Sequence, residues 1–204
     1  NCGRRGGEMA AAQADLPRIV TVFGSSQPRE GDADYTQAYE LGRRLALAGY
    51  TLCNGGTGGT MRAAAQGARE AGGRTIGVTM DIYIPDPPNS WLDEEIRVAD
   101  LFTRLQRLIL PASGYVCLRG GCGTLAEWAL VWTLLASGLV PPAPLILFGE
   151  EWRPLVASIK AGMLPRERDW SFLQLAATVE EVLTILCMGP PAVPAPGSAG
   201  FLRG

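Results

Sequence analysis

Short apolar, β-branched runs alternate along this chain with longer stretches whose apolar residues recur at helical spacing. Arg18 to Phe23, Tyr50 to Cys53, Thr75 to Thr79, Tyr115 to Leu118 and Leu145 to Phe148 read as strands, and Glu95–Val98 and Phe172–Leu175 are candidates for two more. Helices are predicted at about 33–48, 60–71, 100–110, 125–137, 151–160 and 178–187. Strands alternating with helices imply βαβ units. The expected fold is therefore α/β, a doubly wound parallel sheet with helices on both faces, in one domain over residues 16–188. Residues 1–15 and 189–204, rich in Gly, Ala, Pro or Ser without periodicity, are expected to be disordered extensions, and Met9 is a candidate natural start.

In such a fold, ligands bind where the strands end at their carboxyl edge, so those turns are compared first. The first strand runs into Gly24-Ser25-Ser26. The second runs into Asn54-Gly55-Gly56-Thr57-Gly58-Gly59-Thr60-Met61, and a later one into Arg119-Gly120-Gly121-Cys122-Gly123-Thr124-Leu125-Ala126-Glu127. Each alone reads as a tight turn; three at one sheet edge point to a phosphate cradle, because glycine lets a phosphate approach backbone N–H groups and a helix N-terminus attracts its charge. None is a GxGxxG fingerprint or a GxxxxGK[ST] loop, so hydride transfer from a dinucleotide and P-loop hydrolysis lose support. Thr124 to Glu127 also fits a capping box, which would account for those two residues but not for three glycines in four positions. On either reading Glu127 is expected in the first helical turn, where the dipole favours its ionised form.

The segment Val98 to Leu110 carries apolar residues at helical spacing, with Arg104 and Arg107 one turn apart on its polar side. Arg107 reads as a solvated surface residue. Trp128 and Trp132, four apart on the helix after the last glycine turn, fit either core or a subunit interface, with core slightly favoured.

Composition narrows the chemistry. The chain has 204 residues and a formal net charge of -2, with no basic footprint for a nucleic-acid polymer or an anionic membrane. No stretch is apolar for long enough to span a bilayer and no signal peptide is legible, so the expected location is cytoplasmic. Histidine is absent, which removes histidine triads, histidine general acids and histidine metal sites. Lys160 is the single lysine, in a predicted surface helix away from the glycine turns, which argues against a Schiff base. Cys2, Cys53, Cys117, Cys122 and Cys187 are odd in number and mostly within apolar runs, and read as reduced core thiols.

The Arg119-Gly-Gly-Cys-Gly-Thr-Leu-Ala-Glu127 stretch resembles the PGGxGTxxE motif of the LOG family of cytokinin riboside 5′-monophosphate phosphoribohydrolases, a family often labelled as lysine decarboxylases. Arg104 aligns with the arginine of the preceding helix. Val20 to Ser26, Gly55 to Met61 and the Gly77-Val-Thr strand end match in order and spacing, so the resemblance spans roughly residues 18 to 187. It implies a Rossmann-like fold, a homodimer, and hydrolysis of the N-glycosidic bond of an adenine-type nucleoside monophosphate to free base and ribose 5-phosphate, with no metal or organic cofactor required. Glu127 and Arg104 are then the catalytic candidates. Ser25, Ser26, Gly56, Thr57, Gly58, Gly59, Gly120, Gly121, Gly123 and Thr124 are the candidate nucleotide-binding residues, with Gly58, Gly59, Gly121, Gly123 and Thr124 around the 5′-phosphate. The chain departs from the pattern twice: Arg119 replaces the motif proline, and Leu105 stands where a lysine usually follows the helix arginine. Arg119 could contact phosphate, distort the turn or face solvent. The superfamily also holds non-catalytic nucleotide binders and carriers of a phosphorylated cofactor, which is the alternative function. Lysine decarboxylation is a distant third.

Overall fold

Seven parallel strands build one sheet in the computed structural model, which describes residues 18–81 and 87–191. In chain order the elements are β1 (Ile19–Phe23), α1 (Ala33–Leu47), β2 (Thr51–Asn54), α2 (Gly59–Glu70), β3 (Thr75–Met80), β4 (Glu94–Val98), α3 (Leu101–Ile109), β5 (Gly114–Cys117), α4 (Cys122–Ala136), β6 (Leu145–Phe148), α5 (Trp152–Gly162), a 3-10 turn (Glu167–Phe172), β7 (Leu173–Ala176) and α6 (Val179–Met188). The strand order is β4-β3-β2-β1-β5-β6-β7, a doubly wound Rossmann-like arrangement. Both tentative strands are present, as β4 on one edge and β7 on the other. The expected extensions at 1–15 and from 192 onward lie outside the described residues, as does Cys2.

Period-two alternation divides the core into two layers. Val20, Val22, Val116, Leu118, Ile146 and Phe148 face a cluster with Leu41, Leu45, Ala64 and Val182 from α1, α2 and α6. Their neighbours Phe23, Tyr115, Cys117, Leu145 and Leu147 face Leu108, Trp128, Val131, Trp132 and Trp152 from α3, α4 and α5. Trp128 stacks on Trp132 with centroids 5.8 Å apart and meets Trp152 edge-on at 6.0 Å, so both helix tryptophans are intramolecular core. Cys53 and Cys117 are buried, whereas Cys122 and Cys187 are exposed, so only half of the described thiols are core thiols; all four are free. No helix among the described residues is long and apolar enough to cross a membrane.

The order reverses between β1 and β5, which are adjacent and in register from Val20 opposite Gly114 to Phe23 opposite Cys117. The chain leaves β1 toward α1 on one face and leaves β5 toward α4 on the other. Diverging connections open a crevice at the carboxyl ends of these two strands.

Candidate active site at the switch point

All three glycine-rich turns meet at this crevice, and hydrogen bonds lock them together. Ser25 O accepts from Thr60 N at 2.9 Å and from Thr60 Oγ1 at 3.1 Å. Thr124 Oγ1 donates to Gly24 O at 3.0 Å. The β1 loop is thus clamped between the first residues of α2 and those of α4. Gly59 has φ +62°, and a Cβ there would lie 2.1 Å from Ser25 O, so the clamp on α2 requires glycine.

The β2 turn is shaped from within by Asn54, a buried residue at the end of an apolar strand. Its Oδ1 accepts from Gly56 N at 2.8 Å and its Nδ2 donates to Met61 O at 2.9 Å, bridging the turn and the start of α2. Asn89 closes the outer side: its N donates to Gly56 O at 2.9 Å and its Nδ2 to Thr57 O at 3.1 Å. The Thr57 hydroxyl faces Met61 Sδ at 3.7 Å. Sequence reading missed both asparagines as organisers of the site. The signal was present for Asn54, an amide closing an otherwise apolar strand, but its two partners become visible only in the fold.

The α4 turn differs from expectation. The helix begins at Cys122 with Gly121 as its N-cap, three residues earlier than predicted, and no side chain caps it. Thr124 is therefore inside the helix and bonded to Gly24, so the capping box does not form, and Glu127 sits in the second turn. The buried positions Thr124, Glu127, Trp128, Val131, Trp132 and Leu135 follow the 3.6-residue period. Glu127 is thus a carboxylate on the core-facing stripe. Burial pushes its carboxyl up to about 7, against the opposing pull of Arg104, which corrects the expectation that the dipole would keep it readily ionised.

Arg104 also lies inward rather than on the polar side of α3, one turn before Leu108 on the same buried face, while Arg107 is exposed as expected. Three anchors aim it. Asp100 caps α3 by accepting from Thr103 N at 2.9 Å. At the other end Thr21 Oγ1 and Tyr115 Oη donate to the carbonyls of Leu108 and Ile109, at 2.7 and 2.9 Å. Arg104 Nε then donates to Val78 O at 2.9 Å and Nη2 to Gly55 O at 3.4 Å, while Nη1 lies 3.5 Å from Glu127 Oε1. The side chains of the pair are 9% and 10% exposed. A Cβ at Gly55 would sit 2.2 Å from Arg104 Nη2, so the turn also makes room for the guanidinium.

The remaining candidates sort by environment. Gly58 is the N-cap of α2, again without a side-chain cap. Ser25 Oγ accepts from Gln27 N at 3.1 Å, and Ser26 is exposed at the mouth. Gly120 packs on Thr124, whereas a Cβ added at Gly121 or Gly123 would meet nothing within 4 Å. Arg119 faces solvent, 67% exposed, with Nη1 3.6 Å from Asp34 Oδ2. Leu105 is half-buried against the lower core layer. Lys160 is exposed on α5 beside Trp170, away from these turns. Among the described residues no cluster of three or more Cys, Asp or Glu is placed to hold a metal ion.

Comparison with known proteins agrees with this architecture. Residues 17–137, which contain the three turns, Arg104 and Glu127, match the model of the SLOG cluster4 family. The chain is 30% identical over 156 residues to a cytokinin riboside 5′-monophosphate phosphoribohydrolase of Rhodococcoides fascians, covering 74% of this chain and 79% of that protein. It is 31% identical over 121 residues to the pyrimidine/purine nucleotide 5′-monophosphate nucleosidase of Escherichia coli K12, which spans 55% of this chain but 26% of the nucleosidase. Among solved structures, the molybdenum cofactor carrier protein of Chlamydomonas reinhardtii superposes with a TM-score of 0.62 at 28% identity, over 82% of this chain and 94% of the carrier. With its turns, its buried arginine and its motif glutamate in the matched segment, the chain belongs to the SLOG cluster4 family, which is of LOG type.

Proposed function

We propose that this protein hydrolyses the N-glycosidic bond of a nucleoside 5′-monophosphate, of the AMP or cytokinin ribotide type, releasing free base and ribose 5-phosphate. The observation that carries the reading is the buried Arg104–Glu127 pair next to an uncapped helix N-terminus with open glycines at its rim. Cleavage of the bond develops positive charge on the ribose, so a carboxylate fixed beside it lowers the barrier and can take a proton from the attacking water. Glu127 fills that role, and its carboxyl at about 7 is matched to proton transfer near neutrality. Arg104 holds the carboxylate and opposes the effect of burial. Gly121, Gly123 and Thr124, with Gly58 and Gly59 opposite, take the 5′-phosphate, and Ser25, Ser26, Gly56, Thr57 and Gly120 shape the pocket around it. A homodimer belongs to the same proposal: Leu125, Met163 and Leu164 expose apolar surface beside a groove along α4.

A second reading, a nucleotide or phosphorylated-cofactor carrier without turnover, is favoured by the departures at Arg119 and Leu105 and by the likeness to the cofactor carrier. One experiment separates the two. Incubation with AMP and with isopentenyladenine ribotide, followed by chromatography, should release free base, and Glu127→Ala should stop it. No base from either substrate at high protein concentration, together with saturable nucleotide binding, would make the carrier reading correct.

A further inference from the structure

A cleft of about 920 Å³ opens outward from the Gly58–Gly59 turn. Its walls are the loop from Ser26 to Glu30 and the segment Pro87 to Ser90, and Tyr35 and Arg62 line it from α1 and α2. The sequence reading singled out neither of its arginines. On the surrounding elements Arg43, Arg69, Arg74 and Arg97 are each paired with a carboxylate. Among the described residues the guanidinium groups of Arg29 and Arg62 have no such partner. Glu30 also lines the cleft, and it pairs with neither. Two guanidiniums against one carboxylate leave the cleft net positive. The first turn of α2, at its floor, adds no acidic residue to offset that charge.

We infer that this cleft receives a second phosphoryl group of the ligand, so that the preferred ligand is a nucleotide carrying two of them. The inference rests on the nucleotide reading above and extends it. The 5′-phosphate occupies the turns shared with α4, and the second group lies beyond Gly58–Gly59 against Arg62 and Arg29. Guanidinium suits this task because its planar fork pairs with two phosphate oxygens at once. A second phosphoryl group has two chemical sources: the β-phosphate of a nucleoside 5′-diphosphate, or the 3′-phosphate of a nucleoside bisphosphate.

The test is calorimetric titration of the full chain carrying Glu127→Gln, which keeps nucleotides intact, with AMP, ADP and adenosine 3′,5′-bisphosphate. ADP or the bisphosphate should bind at least about tenfold more tightly than AMP, and the better of the two identifies the source. Arg62→Gln, an exposed substitution whose fold is checked by circular dichroism, should erase that preference and leave AMP affinity within about twofold. Equal affinity for all three ligands, or a preference that survives both Arg62→Gln and Arg29→Gln, would overturn the inference. If AMP itself fails to bind, the nucleotide reading falls, and inorganic pyrophosphate then decides the cleft. Pyrophosphate binding that Arg62→Gln weakens keeps an anion site there; binding that is absent or unaffected removes it.

Discussion

The turn that opens α2 and the turn that opens α4 are both glycine-rich, both uncapped by a side chain, and both at the switch point, yet the reasons for their glycines are opposite. In the α2 turn the protein itself demands three of the four, all but Gly58. Gly59 holds φ +62° with Ser25 O where a Cβ would go, and Gly55 and Gly56 are hemmed in by Arg104, Met61 and Thr79. In the α4 turn Gly121 has φ -102°, and neither it nor Gly123 has a neighbour that a methyl group would touch. Folding gives no reason for the absence of side chains there. A ligand seated there, as in the function proposed above, does. One turn is scaffold and the other is surface left open, and only the open one has a buried carboxylate on its helix.

The sharpest break in the comparison is Glu127→Gln. If the open turn is where chemistry occurs, turnover should fall by roughly 10³-fold, within the range for a lost acid–base group, while the fold remains intact. The wild-type rate should rise with pH through a midpoint near 7 and level off about a unit above it, since the carboxyl titrates at about 7 and the ionised form is the reactive one. Stability should move the other way. The unfolded chain gives up this proton near 4.5 and the folded chain near 7, so below 4.5 both states hold it and nothing is lost. Between those values the unfolded state alone ionises, and folding loses roughly 3 kcal/mol as pH rises. Urea unfolding at pH 5 and pH 8, compared between wild type and Glu127→Gln, isolates that contribution. An unchanged difference between the two proteins at the two pH values would show that Glu127 is not held in a desolvated site.

A paired substitution tests the two turns directly. Gly59→Ala forces a side chain into positive φ and against a backbone oxygen, and should cost about 3 kcal/mol or more. Gly123→Ala meets nothing and replaces glycine in a helix, so it should stabilise by up to about 1 kcal/mol while weakening nucleotide binding. Thermal melts with and without AMP read both effects. Gly123→Ala with unaltered binding would remove the ligand explanation for the open glycines. Asn54→Ala ranks next. It frees Gly56 N and Met61 O inside the scaffold turn, at a cost of about 2 kcal/mol, and the loss should appear in the melting temperature before it appears in any rate.

The same contrast explains what could be read from the sequence. All seven strands were legible, the two edge strands tentatively, because apolar runs and glycine punctuation are local signals, whereas their order in the sheet comes from the fold. The site was legible as residue types at strand ends, and Ser25, Gly59, Gly121 and Thr124 do converge. What failed was orientation. Thr124 and Glu127 have the spacing of a capping box, but tertiary bonding to Gly24 draws Thr124 into the helix and extends α4 back to Cys122. Arg104 looked polar-facing because its type is polar, whereas Thr21, far away in sequence, and Tyr115, on the next strand, fix α3 so that Arg104 points inward. The organising role of the buried asparagines was missed for a related reason: a side chain that organises a turn is recognised by its partners, and those come from the fold.

The smallest expected effect is at Arg119, where the open turn departs from its family's pattern. Its side chain is largely in water and its nearest carboxylate, on Asp34, is 3.6 Å away, so the contact contributes at most about 0.5 kcal/mol. Proline is compatible with the position in one respect, because Arg119 has no positive φ and lies outside β5, in the turn that follows it. Arg119→Pro should therefore shift stability by less than about 1 kcal/mol. Its functional readout bears on the larger question. A guanidinium that merely faces solvent leaves turnover of AMP unchanged when proline replaces it. Turnover that appears only after Arg119→Pro would mean that this one residue holds the open turn in a binding role, and that carrier and hydrolase differ here by what stands at the rim of the α4 turn while Arg104 and Glu127 stay in place.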